Sequence, residues 1–134
     1  MTKLKTTRVS RESRVELHDR LGLTGCEVSI NTLPAHAESP FVHYHEQNEE
    51  VYVVLSGGGL VCLDGECADI AEGDCFKVEP AAHRALKAGA QGLRYICIQC
   101  REKSLERFTG EDARIAGAEK PPWPVDPDEG GDLC

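Results

Sequence analysis

The sequence predicts a single all-β domain, an antiparallel sandwich or a small barrel, and two observations support this prediction. Between about residues 26 and 100, short alternating or apolar runs recur with turn signals between them, a pattern typical of such folds. The chain has 134 residues, a length that suits one domain. A fold of this size buries enough surface to be stable without a disulfide or a metal. Stability alone therefore does not require a bound metal.

Eight short strands are predicted between the turn signals. Pro34 ends the first strand, since proline has no N–H to donate to a sheet. The glycines at positions 57–59 predict a turn, and Asp64–Gly65 is a strong signal for a two-residue hairpin. The predicted strands cover residues 26–33, 41–45, 50–55, 60–63, 67–70, 75–78, 83–87 and 93–100.

Both ends of the chain differ from this region. Ser13 and Glu16 fit the capping box of a short helix that Gly22 would end, although the same segment also alternates like a strand. Residues 104–108 predict a helical turn, and the prolines and glycines that follow do not support regular structure. We therefore predict a single domain over residues 1–134, with a barrel at about 24–101, an N-terminal extension at 1–23 and a C-terminal extension with a partly irregular tail at 102–134.

The charge of the chain limits its partners. The formal net charge is −8, and an acidic surface repels phosphates, so we expect no nucleic-acid partner. No apolar run approaches the roughly 18 residues that suggest a membrane span. The N-terminus lacks the apolar stretch of a signal peptide. We therefore expect a cytoplasmic protein without a membrane partner.

Seven cysteines occur in the chain, and an odd number excludes complete internal pairing. Cys97 and Cys100 form a C-x-x-C motif within a predicted strand, where residues i and i+3 face opposite sides, so we expect no shared metal or redox site. Cys62 and Cys67 lie opposite each other across the predicted hairpin at a Cα separation of about 4.5 Å, at the short end of the disulfide range. Two reduced thiols are favoured there, because cytoplasmic thiols are kept reduced.

The segment from His43 to Glu50 carries the chemistry of the sequence. His43 and His45 are two residues apart on a predicted strand, so both imidazoles can point to one place. A tight turn follows, and the next strand begins with Glu49 and Glu50, one of which can enter the same face. Two histidines and a carboxylate suit Fe(II), Mn(II), Ni(II), Cu(II) or Zn(II) and leave coordination positions open. The pattern predicts a divalent transition-metal site.

These residues also resemble a known family. The spacing His43-x-His45-x4-Glu50-x6-Gly57 is similar to the first motif of the cupin superfamily, written as His-x-His, three or four residues, Glu, six residues, Gly. It selects Glu50 over Glu49 as the ligand. The resemblance covers roughly residues 15–110 and points to a small single-domain bacterial subgroup without an assigned reaction. It implies a double-stranded β-helix, or jelly-roll, barrel with the metal inside, and a homodimer, since many cupins self-associate.

The second cupin motif, Gly-x5-Pro-x-Gly-x2-His-x3-Asn, is matched imperfectly and leaves two registers open. Gly73 fits its start, but Pro80 is one position late, and the spacing from Gly73 to His83 is ten rather than eleven. With a turn shorter by one residue, or with a bulge, His83 becomes the fourth metal ligand. With the spacing kept, Arg84 occupies that place.

The alternation of the strand bears on this choice. With His83 inward, Lys87 also faces the barrel and a cation is buried; with Arg84 inward, Leu86 and other apolar residues follow it. The pattern favours Arg84, whereas ligand chemistry favours His83. An inward Arg84 suits the clamping of a carboxylate-bearing ligand. It also suits an ion pair with Glu50 that leaves no metal at all.

Two hypotheses of function follow. The first is a metal-dependent enzyme that acts on a small anionic or oxygen-rich molecule; the alternative is a noncatalytic barrel that binds or senses a small molecule. Tyr52 shares a face with Glu50 and is a candidate for orienting that molecule. The candidate metal ligands are His43, His45, Glu50 and His83, and the candidate substrate-binding residues are Arg84 and Tyr52.

Overall fold

The structure is a computed structural model that describes residues 3–125, and strands are its main regular elements. All strand pairs are antiparallel, so the predicted all-β antiparallel class is confirmed. No helix in this described range is long and apolar enough to cross a membrane. The elements in chain order are β1 (Arg14–Glu16), α1 (Leu17–Leu21), β2 (Glu27–Leu33), β3 (Asn48–Leu63), β4 (Glu66–Ala71), β5 (Cys75–Val78), β6 (Arg84–Arg101) and α2 (Thr109–Asp112).

Two long strands, β3 and β6, organise the sheet. Its strand order is β1-β2-β6-β3-β4, and β5 also pairs with β3. β3 and β6 pair along both halves of their length, with irregular registers between Val54 and Ser56 and between Gly57 and Gly59. Each long strand replaces two of the predicted short strands. The prediction of a turn at residues 57–59 is wrong, because β3 continues through these residues. The chain bends there without reversing.

The glycines permit this bend because the two strands approach closely. Gly57 has φ +74°, and a Cβ on it would lie 2.0 Å from the carbonyl oxygen of Gly92. A Cβ on Gly59 would lie 1.9 Å from the carbonyl oxygen of Lys87. Only residues without a side chain fit these positions.

Two segments before β3 differ from the predicted elements. Residues 14–16 form β1, where Val15 pairs with Ile30 and is buried, so the helix begins at Leu17 and not after Ser13. Burial of Val15 in the sheet explains this difference. Gly22 ends the helix in a left-handed conformation, φ 65°, as predicted. The strand predicted at residues 41–45 is only an isolated bridge between His43 and Arg84.

The chain divides into two units, residues 1–104 and 105–134. The first contains the whole sheet, and its boundary lies close to the predicted end of the barrel. In the second, the helical turn lies at Thr109–Asp112 and not at residues 104–108. Its backbone hydrogen bonds begin at the Phe108 carbonyl, which accepts from the N–H groups of Glu111 and Asp112. The predicted irregular tail is described only as far as residue 125, and residues 126–134 lie outside the described part.

The β3–β4 hairpin has the predicted register. Leu63 and Glu66 flank Asp64–Gly65, whose φ values of 51° and 86° suit a tight two-residue hairpin. Cys62 and Cys67 are directly opposite each other, with Cα atoms 4.0 Å apart, and a disulfide joins them. The preference for two reduced thiols is therefore wrong for this structure, because the pairing brings the two side chains within bonding reach.

The interior of the sheet is mostly apolar. Tyr52 stacks on Phe76 with ring centroids 5.0 Å apart. Glu50 and Arg84 are also buried, with 3% and 0% of their surfaces exposed. Two buried charges in a small core require a partner or a function. Besides Tyr52, the buried apolar residues of the core are Val54, Val61, Ile70, Val78, Leu86, Ala88, Leu93, Tyr95 and Cys97.

Candidate metal centre

Backbone hydrogen bonds hold the His-x-His segment over the buried charges. The N–H of His43 donates to the Arg84 carbonyl (3.2 Å), and the N–H of Arg84 donates back to the His43 carbonyl (2.9 Å). The N–H of His45 donates to the Pro80 carbonyl at 2.8 Å. These bonds fix the two histidine backbones against the turn before β6. Glu50 enters the same space from β3.

The structure brings together the three residues that the first motif predicted as ligands. One ligand atom from each of His43, His45 and Glu50 lies within 4.8 Å of the other two. The Nε2 atom of His45 is 3.2 Å from Glu50 Oε2, and that of His43 is 3.9 Å from Glu50 Oε1. The side chains of His43 and His45 are 38% and 24% exposed, against 4% for Glu50. Two imidazoles thus cover a buried carboxylate from the solvent side.

Hydrogen bonds orient the Glu50 carboxylate. Its Oε1 accepts from the Tyr52 hydroxyl at 2.8 Å, and its Oε2 accepts from the Cys97 thiol at 3.3 Å. Burial by itself raises the pKa of Glu50, but the bonds from Tyr52 and Cys97, together with the electrostatic effects of His45 and Arg84, outweigh it. The net effect lowers the pKa, so the group is an ionised carboxylate at neutral pH.

Arg84 faces the interior beside this carboxylate. Its Nη1 lies 3.3 Å from Glu50 Oε1, an ion-pair distance. Its Nη2 donates to the backbone carbonyls of Glu79 and Pro80. The geometry toward Glu50 does not make a hydrogen bond, and Nε and Nη1 have no hydrogen-bond partner. Of the two registers left open by the sequence, the structure has the one with Arg84 inward.

His83 lies outside the cluster, so the expected four-ligand set does not form among the described residues. Its side chain is exposed, and its ring stacks on Tyr44 with centroids 4.7 Å apart. The Leu63–Arg84 and Cys62–Ala85 pairs follow each other without a bulge. Strict alternation therefore turns His83 outward when Arg84 is inward.

Tyr52, the other predicted substrate-binding residue, lies behind the Glu50 carboxylate. Its hydroxyl donates to Glu50, and its ring lies against those of Phe76 and Tyr95. Burial, more than the neighbouring negative charge, raises the pKa of Tyr52. The hydroxyl therefore stays protonated and orients Glu50.

The donor set fits a divalent transition metal. Burial lowers the pKa of His43 and outweighs the opposing effect of the Glu50 charge, so this imidazole is neutral at neutral pH, as a metal ligand must be. Neutral imidazole and carboxylate are ligands that suit Fe, Mn, Ni, Cu and Zn. His43, His45 and Glu50 would hold the ion, and the remaining coordination positions would be filled by water or substrate.

Cys97 is a contact of this site that the sequence analysis missed. In the sequence, Cys97 stood out only as one half of a C-x-x-C motif. Its role depends on the pairing of Tyr52 with Cys97 across β3 and β6, which sets the thiol beside Glu50. The one signal in the sequence was the alternation along β6, which assigns the Cys97 side chain to one face of the strand.

Alkylation should distinguish Cys97 from the exposed Cys75. Burial, followed by the Glu50 charge, raises the pKa of Cys97 to about 12, and the thiolate is the reactive form. We expect iodoacetamide at pH 8 to label native Cys75 at least about 100-fold faster than Cys97, measured by peptide mass spectrometry. In urea the two rates should converge. Equal labelling of the native protein would show that the thiol is accessible and ionised.

Comparisons with known proteins identify the family. A model described as "Cupin domain" matches residues 29–99. The fold is similar to that of a cupin protein from Bacteroides fragilis, with a TM-score of 0.81 and 44% sequence identity. That match covers 86% of this chain and 98% of the other.

Two further proteins are more distant. An uncharacterized protein from Methanocaldococcus jannaschii is 33% identical over 75 residues, 55% of this chain and 56% of that protein, so the chain spans about half the length of this relative. A sugar phosphate isomerase of the cupin superfamily from Silicibacter pomeroyi has a TM-score of 0.57 at 23% identity, covering 68% of this chain and 61% of the other, and shows the fold alone. The chain belongs to the cupin family, and its antiparallel sheet is the jelly-roll barrel that the motif implied.

Proposed function

We propose that this cupin is a metal-dependent enzyme whose His43, His45 and Glu50 hold a divalent transition metal and that it acts on a small anionic or oxygen-rich molecule. The observation that carries the proposal is the convergence of two partly exposed imidazoles on a buried, ionised carboxylate. Three protein donors leave positions open for a substrate. Iron, manganese, nickel, copper and zinc are the candidate metals.

Each residue of the site has a role in this proposal. The metal supplies Lewis acidity when bound. Tyr52 and Cys97 orient Glu50 through their hydrogen bonds. Arg84, anchored by the carbonyls of Glu79 and Pro80, offers a fixed positive charge to an anionic substrate. His43, the most exposed ligand candidate, lies on the side from which a small molecule reaches the site.

A noncatalytic barrel that binds or senses a small molecule is the second candidate. The observation that favours it is the 3.3 Å pair between Arg84 and Glu50, which balances both buried charges without a metal. A homodimer, a cytoplasmic location and the absence of nucleic-acid and membrane partners stay predictions; light scattering on the purified protein tests the first.

Metal content tests the proposed function. Protein from defined medium, supplied with the five metals at equal concentration, should contain close to one metal per chain by mass spectrometry. We expect His45→Ala to lower the metal occupancy at least about tenfold. Mutation of a residue that only hydrogen-bonds to a metal ligand already lowers metal affinity by about that factor.

His83→Ala is the matched control, because it removes the same side chain from a position outside the cluster. It should keep the metal of the wild type. Equal occupancy in wild type and His45→Ala would reject the metal site. Absence of metal from all three proteins would favour the noncatalytic barrel.

A further inference from the structure

Two cysteines that are free among the described residues lie opposite each other where β2 begins and β6 ends. We propose that Cys26 and Cys100 form a reversible dithiol–disulfide pair that a small-molecule disulfide oxidises. Oxidation ties the start of β2 to the end of β6. Cys100 is three positions after Cys97 and so faces the opposite side of the strand. The pair is therefore separate from the candidate metal centre and does not depend on the proposed function.

The strand register brings the two residues together. β2 and β6 are antiparallel, and Glu27 pairs with Gln99 at the start of β2. One residue before this pair, Cys26 lies opposite Cys100. Both cysteines also line the same surface cavity, of about 440 Å³. Because opposite residues of an antiparallel pair share a face, the two side chains are neighbours.

The hydrogen-bond pattern makes this a close pair. The N–H of Glu102 donates to the carbonyl of Gln47, just before β3. Since the N–H groups along a strand alternate in direction, the N–H of Cys100 also points to β3 and not to β2. Cys26 and Cys100 are thus a non-hydrogen-bonded pair, the type in which Cα atoms are about 4.5 Å apart and side chains are closest.

A disulfide elsewhere in the sheet supports this geometry. Leu63 and Glu66 flank the two-residue hairpin and form its hydrogen-bonded pair, so the next pair, Cys62 and Cys67, is also non-hydrogen-bonded. A disulfide joins Cys62 to Cys67 with their Cα atoms 4.0 Å apart. A cysteine pair of this type therefore reaches bonding distance in this protein while the strands stay paired.

A small molecule can reach both thiols of the proposed pair. Cys26 and Cys100 are each only partly buried. Burial, the charge of Glu49 and the neighbouring Cys26, in that order, raise the pKa of Cys100, and the effect of Cys26 agrees with two adjacent sulfurs. The thiolate is the attacking form. We therefore expect the pair to react in mildly alkaline solution, where more thiolate is present.

Thiol–disulfide exchange with oxidised glutathione closes the pair in two steps. One protein thiolate attacks a sulfur of oxidised glutathione, whose S–S bond breaks and releases one glutathione thiolate. The second protein thiolate then attacks the protein sulfur of this mixed disulfide and releases the other glutathione. The two protein thiols lose two protons and two electrons, and oxidised glutathione is reduced to two thiols.

Mass spectrometry after incubation with oxidised glutathione at about pH 8 tests the pair. Every protein carries Cys134→Ser, so that a cysteine outside the described residues takes no part. The parent protein should lose two hydrogens, and fragmentation of the joined peptides should connect Cys26 to Cys100. Cys100→Ser should trap glutathione on Cys26, and Cys26→Ser should trap it on Cys100. We expect at least about tenfold less glutathione on either cysteine in the parent than in these variants, because the adjacent thiol displaces it.

Cys75 is the matched control within the same protein. It is exposed and pairs with Val53 across β5 and β3, so no adjacent thiol displaces glutathione from it. It should carry glutathione as a stable mixed disulfide in the parent and in both variants. Dithiothreitol should then return Cys26, Cys75 and Cys100 to free thiols.

Three results would overturn the proposal. The first is glutathione on both Cys26 and Cys100 of the parent protein without a bond between them. The second is no reaction at either cysteine while Cys75 is modified. The third is a bond from Cys26 or Cys100 to another cysteine. Should a serine variant not fold, the fragment spectra of the parent decide, since they identify the joined residues.

Discussion

Glu50→Gln is expected to lower the free energy of unfolding of the metal-free protein by about 3 kcal/mol or more at pH 7, because it leaves a buried cation without its counter-charge. Arg84 has no exposed surface and lies 3.3 Å from Glu50 Oε1. The Tyr52 and Cys97 donors also lose their anionic acceptor. Urea unfolding in the presence of a chelator measures the change.

Glu49→Gln is the matched control. Glu49 precedes Glu50 on β3, pairs with Cys100 and is only partly buried, so its change should cost less than about 0.5 kcal/mol. A double variant, Glu50→Gln with Arg84→Gln, should be more stable than the sum of the single changes predicts, since it removes the uncompensated charge. Equal losses in Glu49→Gln and Glu50→Gln would show that the buried pair contributes nothing.

The second large effect is expected at the bend of β3. Gly57→Ala should lower the free energy of unfolding by about 3–5 kcal/mol, combining the cost of a left-handed conformation with that of overpacking. The new Cβ would lie 2.0 Å from the Gly92 carbonyl oxygen, a backbone atom that cannot swing aside. Thermal and urea unfolding both report this loss.

Gly25→Ala supplies the comparison, because no atom lies within 4 Å of the added Cβ there. Its effect should stay within about 1 kcal/mol in either direction. If Gly57→Ala is as mild as Gly25→Ala, the close approach of β3 and β6 is not required by the fold.

Much of the fold could be predicted from the sequence, because local signals determine it. The alternation of residues 26–33, the hairpin at Asp64–Gly65 and the stop at Gly22 all appear in the structure. The continuity of β3 was not predictable from local signals. Glycine permits both a turn and a close strand crossing, and only the position of Gly92 on the partner strand shows that the second applies.

The site divides in the same way. The spacing of His43, His45 and Glu50 predicts a cluster that the structure contains. The apolar residues after Arg84 favoured an inward side chain for it, because alternate residues of a strand face the same side. The contact of Cys97 with Glu50 depends on the pairing of β3 with β6, which neighbouring residues do not encode. The disulfide between Cys62 and Cys67 depends on redox conditions as well as on geometry.

Glu50 lies where the two ends of one strand meet. Arg84 begins β6 and Cys97 lies 13 positions later, yet both contact the same carboxylate. A straight strand would hold these residues roughly 40 Å apart, so the carboxylate closes a loop of backbone that has curved back on itself. The contacts of Glu50 therefore connect two distant parts of β6 across the barrel. Breaking them separates the two halves of β6, which couples the ligand chemistry to the cooperative unfolding of the whole sheet.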